Sequence, residues 1–384
     1  MTFDYELLRR LSEANGIPGR EEGVRELIRA ALGELASNAR VDTMGNLIVE
    51  VPGPSGAPRV MVSAHMDEIG FIVRHVDDKG FLRLQNMGGF DTRNLFARLV
   101  TVHPRHGAPR TGVLNPGVKP IHIASAEDRK KVPELDEFVV DLGLPAETVK
   151  AEVRIGDMVT LLQPFVDLGD AVVGKALDDR SGCWVLVESL RRLQAPAVTV
   201  LAVFSVQEEV GLRGAITSAY ALEPDVGVAL DTTLAVDTPG TAEHLAVTRL
   251  GDGVAIKVRD SSTVSHGWLV DALADLAASR DIPHQFEVLP LGGTDAGAIQ
   301  RSRAGVASVT LSNPSRYVHT VTEMLAKRDL EAAVALLTAF LTTPGTAVAP
   351  GAAEAAAAGS PGAAVAPGSA DARGAGSPAS EPPA

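Results

Sequence analysis

The sequence predicts an α/β fold in which a mostly parallel sheet has helices on both faces and carries a small β-rich insertion. Apolar runs typical of strands alternate with helical periodicity in residues 1–68 and again in residues 163–343. Short strands and turns dominate the stretch between them, residues 69–162. Residues 344–384 are nearly all Ala, Gly, Pro and Ser, so we expect a disordered tail that buries too little apolar surface to fold.

The individual elements follow from the spacing of apolar residues. Helical periodicity predicts five helices, at residues 5–14, 21–35, 181–193, 268–279 and 328–341. Apolar runs predict five strands of the main sheet, at residues 46–51, 59–64, 197–206, 226–230 and 305–311. In the insertion we expect short strands at residues 80–82, 100–103 and 111–114, and a charged, mobile loop with one helical piece at residues 121–137.

Composition limits the classes of function. The 384 residues are 45% hydrophobic and 22% charged, which is ordinary for a soluble globular enzyme. The net charge of −13 argues against nucleic acid as a partner, because phosphate binding needs clustered Lys and Arg. A single cysteine, Cys183, permits no internal disulfide. No signal peptide or long apolar run is recognisable, so we expect a cytoplasmic protein with no membrane partner.

Histidines and carboxylates stand at or just beyond the ends of the predicted strands. The pattern occurs at His65 with Asp67, at Glu208 with Glu209, at Asp231 and at His319, while Asp178 and Asp179 precede a helix. Ligand sites in open α/β sheets gather at the carboxyl ends of strands, so these residues are expected to converge.

Such a donor set suits zinc, cobalt or manganese. Two ions about 3.5–4 Å apart that share a carboxylate would activate water, and a free carboxylate would carry the proton. Each piece alone has a simpler reading: Glu208-Glu209 as a solvated pair, Asp178-Asp179 as a helix cap, His319 as a surface histidine. The hypothesis of a two-metal site therefore depends on the occurrence of all these residues together.

Five segments in this order carry a resemblance to a known family: residues 64–71, 176–183, 207–215, 292–296 and 316–319. Together they resemble the M42 family of metallo-aminopeptidases, which includes the tetrahedral (TET) aminopeptidases and the glutamyl aminopeptidases. The resemblance extends over about residues 5–341.

The resemblance implies five metal ligands. His65 and Asp231 would bind one ion, Glu209 and His319 would bind the other, and Asp178 would bridge the two.

Further roles are implied for neighbouring residues. Glu208 would be the general base and acid, and Asp67 would steady His65. Family members often have Asn at the position of Asp179, which favours Asp178 as the bridge, and Asp295 lies in a family segment expected near the substrate.

The resemblance also implies a small β-barrel-like dimerisation domain for the insertion, and dimers that assemble into a dodecamer acting on peptides. His122 and the charged run at residues 127–131 lie in this insertion. We interpret them as part of a solvated loop, with contact to a neighbouring subunit as the alternative.

Three other functions remain open from the residues alone. A deacylase or amidase on small N-acyl or dipeptide-like metabolites would use the same metals. A glycoside hydrolase would need only two carboxylates around a sugar. A non-enzymatic assembly protein would need none of the proposed ligands. The preferred N-terminal residue has no recognisable sequence signature.

Overall fold

The computed structural model of the chain describes residues 2–348. Within that range there are eight α-helices: α1 (Tyr5–Glu13), α2 (Glu22–Leu32), α3 (Ala146–Glu152), α4 (Leu177–Arg192), α5 (Arg213–Leu222), α6 (Gly267–Ser279), α7 (Asp295–Gln300) and α8 (Lys327–Thr342).

The strands form two groups. The main sheet contains β1 (Arg40–Val41), β2 (Leu47–Val51), β3 (Arg59–His65), β10 (Val166–Asp167), β11 (Ala171–Gly174), β12 (Thr199–Ser205), β13 (Val226–Leu234), β14 (Val254–Arg259), β15 (His284–Val288), β16 (Ala307–Arg316) and β17 (Glu323–Ala326). The second group contains β4 (Gly70–Val76), β5 (Leu82–Met87), β6 (Arg98–His103), β7 (Arg110–Pro116), β8 (Phe138–Asp141) and β9 (Met158–Leu161).

The main sheet has a parallel centre and antiparallel flanks. Its strands follow the order β1-β2-β12-β3-β13-β16-β17-β11-β10, and β14 with β15 branches from β16. Strands β12, β3, β13 and β16 are mutually parallel. Strands β2, β17 and β11 pair in the antiparallel direction on either side. The four parallel strands therefore bring their carboxyl ends to one edge of the sheet.

Alternation along β3 shows how the two faces are covered. Val60, Val62 and Ala64 belong to the large core with α1, α2, α4, α6 and α8, while Met61 belongs to a smaller core with α5 and α7. Successive side chains of a strand point to opposite faces, so a run that is apolar throughout requires a cover on both. The predicted α/β fold with helices on both faces is confirmed.

The insertion is a closed six-stranded antiparallel barrel in the order β4-β5-β8-β7-β6-β9, closed by β4 pairing with β9. Its core is separate from those of the main sheet and is built on Phe71, Phe138 and aliphatic residues. The barrel strands run from Gly70 to Leu161, within the predicted insertion. The described residues, 2–348, fall within one compact unit, so the division into domains stays a proposal.

Several strands are longer than the sequence indicates. Strand β13 continues to Leu234 and β16 to Arg316, because the two pair with each other as far as Leu234 and Ser315. Asp231 therefore lies within a strand and not beyond its end. Strands β14, β15 and β17 and helices α5 and α7 are not predicted by periodicity.

The loop at residues 121–137 contains two short 3₁₀ helices, Asp128–Lys130 and Leu135–Glu137, where one helical piece was expected. Residues 344–348 form a turn in which Ala347 is buried. The predicted disorder of residues 349–384 lies outside the described residues. Among residues 2–348, no helix has the length and apolar character needed to cross a membrane.

Candidate metal centre

The structure brings the five predicted ligands together at the carboxyl edge of the parallel strands. His65 is the last residue of β3, and Asp231 lies in β13. Asp178 stands at the start of α4, where its backbone dihedral angles are not helical. Glu209 lies in the loop after β12, and His319 lies in the turn between β16 and β17.

Asp178 lies between the two histidines. Its Oδ1 atom is 3.3 Å from His65 Nε2, and its Oδ2 atom is 3.4 Å from His319 Nε2. Each oxygen of one carboxylate thus faces a different imidazole, which is the arrangement expected of a residue that bridges two ions.

Two overlapping groups of donors complete the cluster. Ligand atoms of His65, Asp178 and Asp231 lie within 4.8 Å of one another, and so do those of Asp178, Glu209 and His319. Glu209 Oε1 is buried, has no hydrogen-bond partner among the described residues and lies 3.5 Å from His319 Nε2. A buried carboxylate oxygen without a donor is costly unless a cation is bound there, so the residues fit a pair of divalent ions.

Electrostatics in the cluster couple the histidines to the carboxylates. Burial opposes a charge on His65, but hydrogen bonds with Asp178 and Asp67 outweigh it and raise the pKa of His65 well above its usual range. Burial also opposes a charge on His319, yet the charges of Glu209 and Asp178 raise its pKa to about 10. A divalent cation would replace these protons at the same nitrogen atoms, because metal ligands must be deprotonated.

The pKa values of the carboxylates are shifted in two directions. Burial raises the pKa of Glu209 to about 7, and burial with the charge of Asp178 raises the pKa of Asp231 well above its usual range. Burial would also raise the pKa of Asp178, but its hydrogen bonds with His319 and His65 lower it instead. Asp178 is therefore the member of the set that most strongly retains negative charge.

Glu208 faces the same space as the proposed ligands. Its Oε2 atom is 3.9 Å from His65 Nε2, and its side chain is nearly buried. Burial raises the pKa of Glu208 well above its usual range. A carboxyl group in this position can hold a proton at neutral pH and exchange it with a molecule in the cavity.

Asp67 contacts both His65 and the loop after β12. His65 Nδ1 lies 3.0 Å from the backbone carbonyl oxygen of Asp67 and 3.6 Å from its carboxylate Oδ1. The Asp67 carboxylate accepts the backbone N–H groups of Glu208 at 3.0 Å and Glu209 at 3.1 Å. Asp67 thus lies beside His65 and also holds the Glu208-Glu209 pair in place. The sequence does not indicate this second contact.

Two other predicted residues lie behind the cluster. The Asp179 carboxylate accepts the backbone N–H groups of Gly182 at 2.9 Å and His65 at 3.2 Å, which makes it a cap for α4. Asp295 accepts hydrogen bonds from Ser63 at 2.5 Å and Ser205 at 2.6 Å. Asp295 does not line the cavity beside the cluster.

Glu323 is a site residue that the sequence did not reveal. It is the first residue of β17 and is buried. Its carboxylate accepts the backbone N–H of Asp178 at 3.0 Å and that of His319 at 2.8 Å. Burial and the charge of Asp178 raise the pKa of Glu323 to about 8. The only signal in the sequence is its spacing of four residues after His319.

A cavity of about 610 Å³ opens beside the cluster. Its wall includes five aliphatic side chains: Leu212, Leu234, Leu289, Leu291 and Val318. Lys257 also lines it, with its ammonium nitrogen 2.9 Å from Glu287 Oε1 and 3.5 Å from Asp260 Oδ2. The site therefore combines a polar floor that can hold cations with a largely apolar wall.

His122 lies away from this cavity, on the barrel. It is exposed, in the turn before the 3₁₀ helix Asp128–Lys130. The described residues give it no contact with the candidate metal centre.

Comparison with known proteins gives a family match over most of the chain. The family model described as M42 glutamyl aminopeptidase matches residues 45–336. The lysyl aminopeptidase of Pyrococcus furiosus is 34% identical over 344 residues, which are 88% of this chain and 96% of that protein.

Solved structures of two peptidases also have a similar fold. Aminopeptidase APDkam598 from the archaeon Desulfurococcus kamchatkensis is 38% identical with a TM-score of 0.83, over 88% of this chain and 93% of that one. The TET1 peptidase of Pyrococcus horikoshii is 34% identical with a TM-score of 0.79, over 88% of this chain and 99% of that one. That peptidase is described as able to assemble into a tetrahedron or a large octahedral shell.

Proposed function

The chain belongs to the M42 family of aminopeptidases, and from this premise we propose that it is a dinuclear metal-dependent enzyme that releases N-terminal amino acids from peptides. As a member of that family it is a peptide-bond hydrolase. The observation that carries the two-metal proposal is Asp178, whose two carboxylate oxygens face His65 on one side and His319 on the other.

We propose that His65 and Asp231 hold one ion, that Glu209 and His319 hold the other, and that Asp178 contacts both. Zinc or cobalt suits this donor set best, and manganese is the third candidate. When bound, the pair would supply Lewis-acid activation of a water molecule and of the substrate carbonyl.

The protein's own groups would handle the proton. Glu208 would accept a proton from the attacking water at a carboxylate oxygen and deliver it to the nitrogen of the departing amine. Asp67 supports this role because it binds the backbone N–H of Glu208 and so fixes the start of the side chain.

The function is tested with protein stripped of metal by a chelator and reconstituted with zinc, cobalt or manganese. Aminoacyl substrates with a free amino group should be hydrolysed only after metal is added. Their N-acetylated forms should not be hydrolysed. Hydrolysis of only the acetylated forms would identify a deacylase, and activity that survives the chelator would refute the metal mechanism.

Replacing Glu208 with Gln tests the general base. We expect Glu208→Gln to bind two ions per chain and to lose at least about 100-fold in kcat, because the amide cannot accept the proton. Metal content and kcat are measured on the same preparation. A variant with normal metal content and normal kcat would remove Glu208 from the mechanism.

We further propose that the chain assembles through its barrel into a homo-oligomer and that it acts in the cytoplasm. A groove on the barrel lined by Phe96, Val118 and Ile121, each exposed, supports the first proposal.

A further inference from the structure

Glu323 connects two of the proposed ligands that lie far apart in the sequence. One of its carboxylate oxygens accepts the N–H of Asp178, and the other accepts the N–H of His319. Both contacts are to the backbone, so they leave the side chains of Asp178 and His319 free to face the cavity. Glu323 therefore fixes the backbone position from which each of these two side chains projects. It does so from the side away from the cavity.

The backbone at both ligands needs such support. Asp178 has φ −79° and ψ 109°, so the regular hydrogen bonds of α4 do not hold it. His319 has φ +62°, in the left-handed region that costs a non-glycine residue about 1 kcal/mol. Tyr317, two residues earlier, is also left-handed, with φ +62°. Neither ligand is positioned by a regular ladder or helix.

Glu323 is well placed to supply this support because β17 lies between the two segments concerned. Glu323 pairs with Gly174 of β11, which leads into α4, and β17 also pairs with the end of β16, which leads into the His319 turn. A change in the position of Glu323 would therefore move both ligands together.

The charge of Glu323 is not neutralised by a direct ion pair with Lys or Arg in the described part of the chain; its nearest cationic neighbour is the His319 imidazole. Its side chain is buried. A neutral amide could satisfy one of the two N–H groups at a lower desolvation cost. The negative charge becomes favourable if a cation is bound nearby, on the other side of Asp178 and His319.

We propose that Glu323 is a positioning residue for the metal centre: it orients the backbone of Asp178 and His319 and supplies negative charge behind them. This inference rests on the proposed two-metal function. We expect Glu323 to influence chiefly the ion held by Glu209 and His319, because it supports two of the proposed ligands of that ion, Asp178 and His319, and only Asp178 among those of the other.

The test is zinc binding to metal-stripped protein, measured by titration calorimetry, for the original chain and Glu323→Gln. We expect one of the two binding steps to weaken by about 10–100-fold, the range typical of residues that support metal ligands, and the other to change by less than about 3-fold. The visible absorption of the cobalt-loaded protein should change as well, because the geometry around one ion changes. If Glu323→Gln does not fold, Glu323→Asp is measured instead, with the same expectation.

Asp329 offers a matched control. Its buried carboxylate also accepts two backbone N–H groups, from Gly251 at 2.7 Å and Gly253 at 2.8 Å, but it contacts none of the proposed ligands. Asp329→Asn should lower the melting temperature and leave both zinc affinities and the cobalt spectrum unchanged.

Three results would count against the proposal in different ways. Unaltered zinc binding by Glu323→Gln would refute the positioning role and leave the proposed function intact. An equal loss of affinity in Asp329→Asn would assign the effect to general destabilisation. Failure of the original chain to bind two ions would refute the proposed function itself, and the inference with it.

Discussion

At the residue level, the carboxylates of the site divide according to what their oxygens contact. Asp178, Glu208 and Glu209 direct oxygens into the cavity, while Asp67 and Glu323 accept backbone N–H groups from the segments that carry those residues or their neighbours. An aligned N–H donor stabilises a buried carboxylate without neutralising it. The second group can therefore hold the first in place and still contribute negative charge.

Glu21 is a buried carboxyl group whose titration affects stability. Its Oε1 atom accepts the N–H groups of Gly19 and Gln207, and burial with the charge of Asp67 raises its pKa to about 7. Because the folded pKa lies above the unfolded value, the group's stabilising contribution is full below about pH 4.5 and is lost as the pH rises through 7. A shift of this size corresponds to on the order of 3 kcal/mol.

Glu21→Gln stays neutral at every pH. We therefore expect its unfolding free energy, relative to that of the original chain, to rise by a few kcal/mol between pH 5 and pH 8. Urea unfolding of metal-free protein at several pH values measures this difference. Glu22→Gln, at the neighbouring exposed position, controls for the loss of a charge in the same segment. A constant difference across the pH range would contradict the assignment.

The sequence predicted the residues whose side chains face the cavity more readily than those behind them. His65 follows an apolar strand, and the Glu208-Glu209 pair follows another, so strand ends locate them. Glu323 begins a strand of only four residues, and its contact with Asp178 depends on the pairing of β17 with β11. Such a contact between distant segments is a property of the assembled sheet and has no local sequence signature.

At the level of elements, the loop between β12 and α5 depends on a close approach of backbone segments. The N–H of Gly214 donates to Val206 O at 2.9 Å, and Asn46 bridges the two ends of the loop through Val206 N at 3.0 Å and Gly214 O at 3.1 Å. This contact closes the loop that carries Glu208 and Glu209. A Cβ atom at Gly214 would lie 2.5 Å from Val206 O and closer still to Asn46 Oδ1.

We expect Gly214→Ala to lose about 1–3 kcal/mol of unfolding free energy, because the added Cβ would meet the backbone of Val206 and the Asn46 carboxamide, which is itself held by hydrogen bonds to that backbone. It should also lower kcat by on the order of 100-fold, since Glu208 moves with the loop. Denaturant unfolding and steady-state kinetics measure the two effects. Gly267→Ala, where an added Cβ meets nothing within 4 Å, is the control and should retain both properties. Normal kcat in Gly214→Ala would show that the loop position does not matter.

Elements that the sequence missed share a physical cause. Strands β14 and β15 have exposed apolar residues such as Phe286 and Val288, so they lack a clear alternation of buried and exposed positions. Helix α7 has only six residues, too few to show a helical period. The long helices and the central strands were found because burial on a wide face imposes a regular pattern over many residues.

At the level of the whole molecule, the cavity suggests which N-terminal residues fit. Its aliphatic wall can bury an apolar side chain, which contributes about 1.5–3 kcal/mol for a Leu or Met. Lys257 is the cation in the cavity wall, and its charge is already paired with Glu287 and Asp260. Among residues 2–348, the wall of this cavity therefore offers an acidic side chain no unpaired Lys or Arg.

We expect kcat/KM for leucyl and methionyl substrates to exceed that for glutamyl substrates by about 10-fold or more, from the burial energy above. A panel of aminoacyl substrates measures this on the metal-loaded enzyme. Val318→Thr, which keeps the shape of the side chain but replaces a methyl group with a hydroxyl group, should reduce the preference. A glutamyl substrate cleaved as fast as a leucyl one would contradict it.

Assembly is a second prediction at this scale. We propose a dodecamer and expect light scattering to give a mass equal to twelve chains, by analogy with the PhTET1-12s structure, which is described as a dodecamer. Ile121→Asp, in the barrel groove, should yield smaller species, because it removes an exposed apolar side chain that contact with another chain would bury and puts a charge in its place. Leu245→Asp, at a similarly exposed leucine outside the barrel, is the control. A monomeric original chain would refute the proposal.

The pairing of β4 with β9, which closes the barrel, bears on how the insertion could have evolved. The chain enters the barrel on β4 and leaves it on β9, and these strands are neighbours, with Phe71 opposite Val159. Entry and exit therefore lie side by side, so the main sheet needs only one attachment point for the whole insertion. Such a segment could have been gained, exchanged or deleted as one unit between His65 and Asp178. The order of the main-sheet strands around the proposed ligands would stay the same.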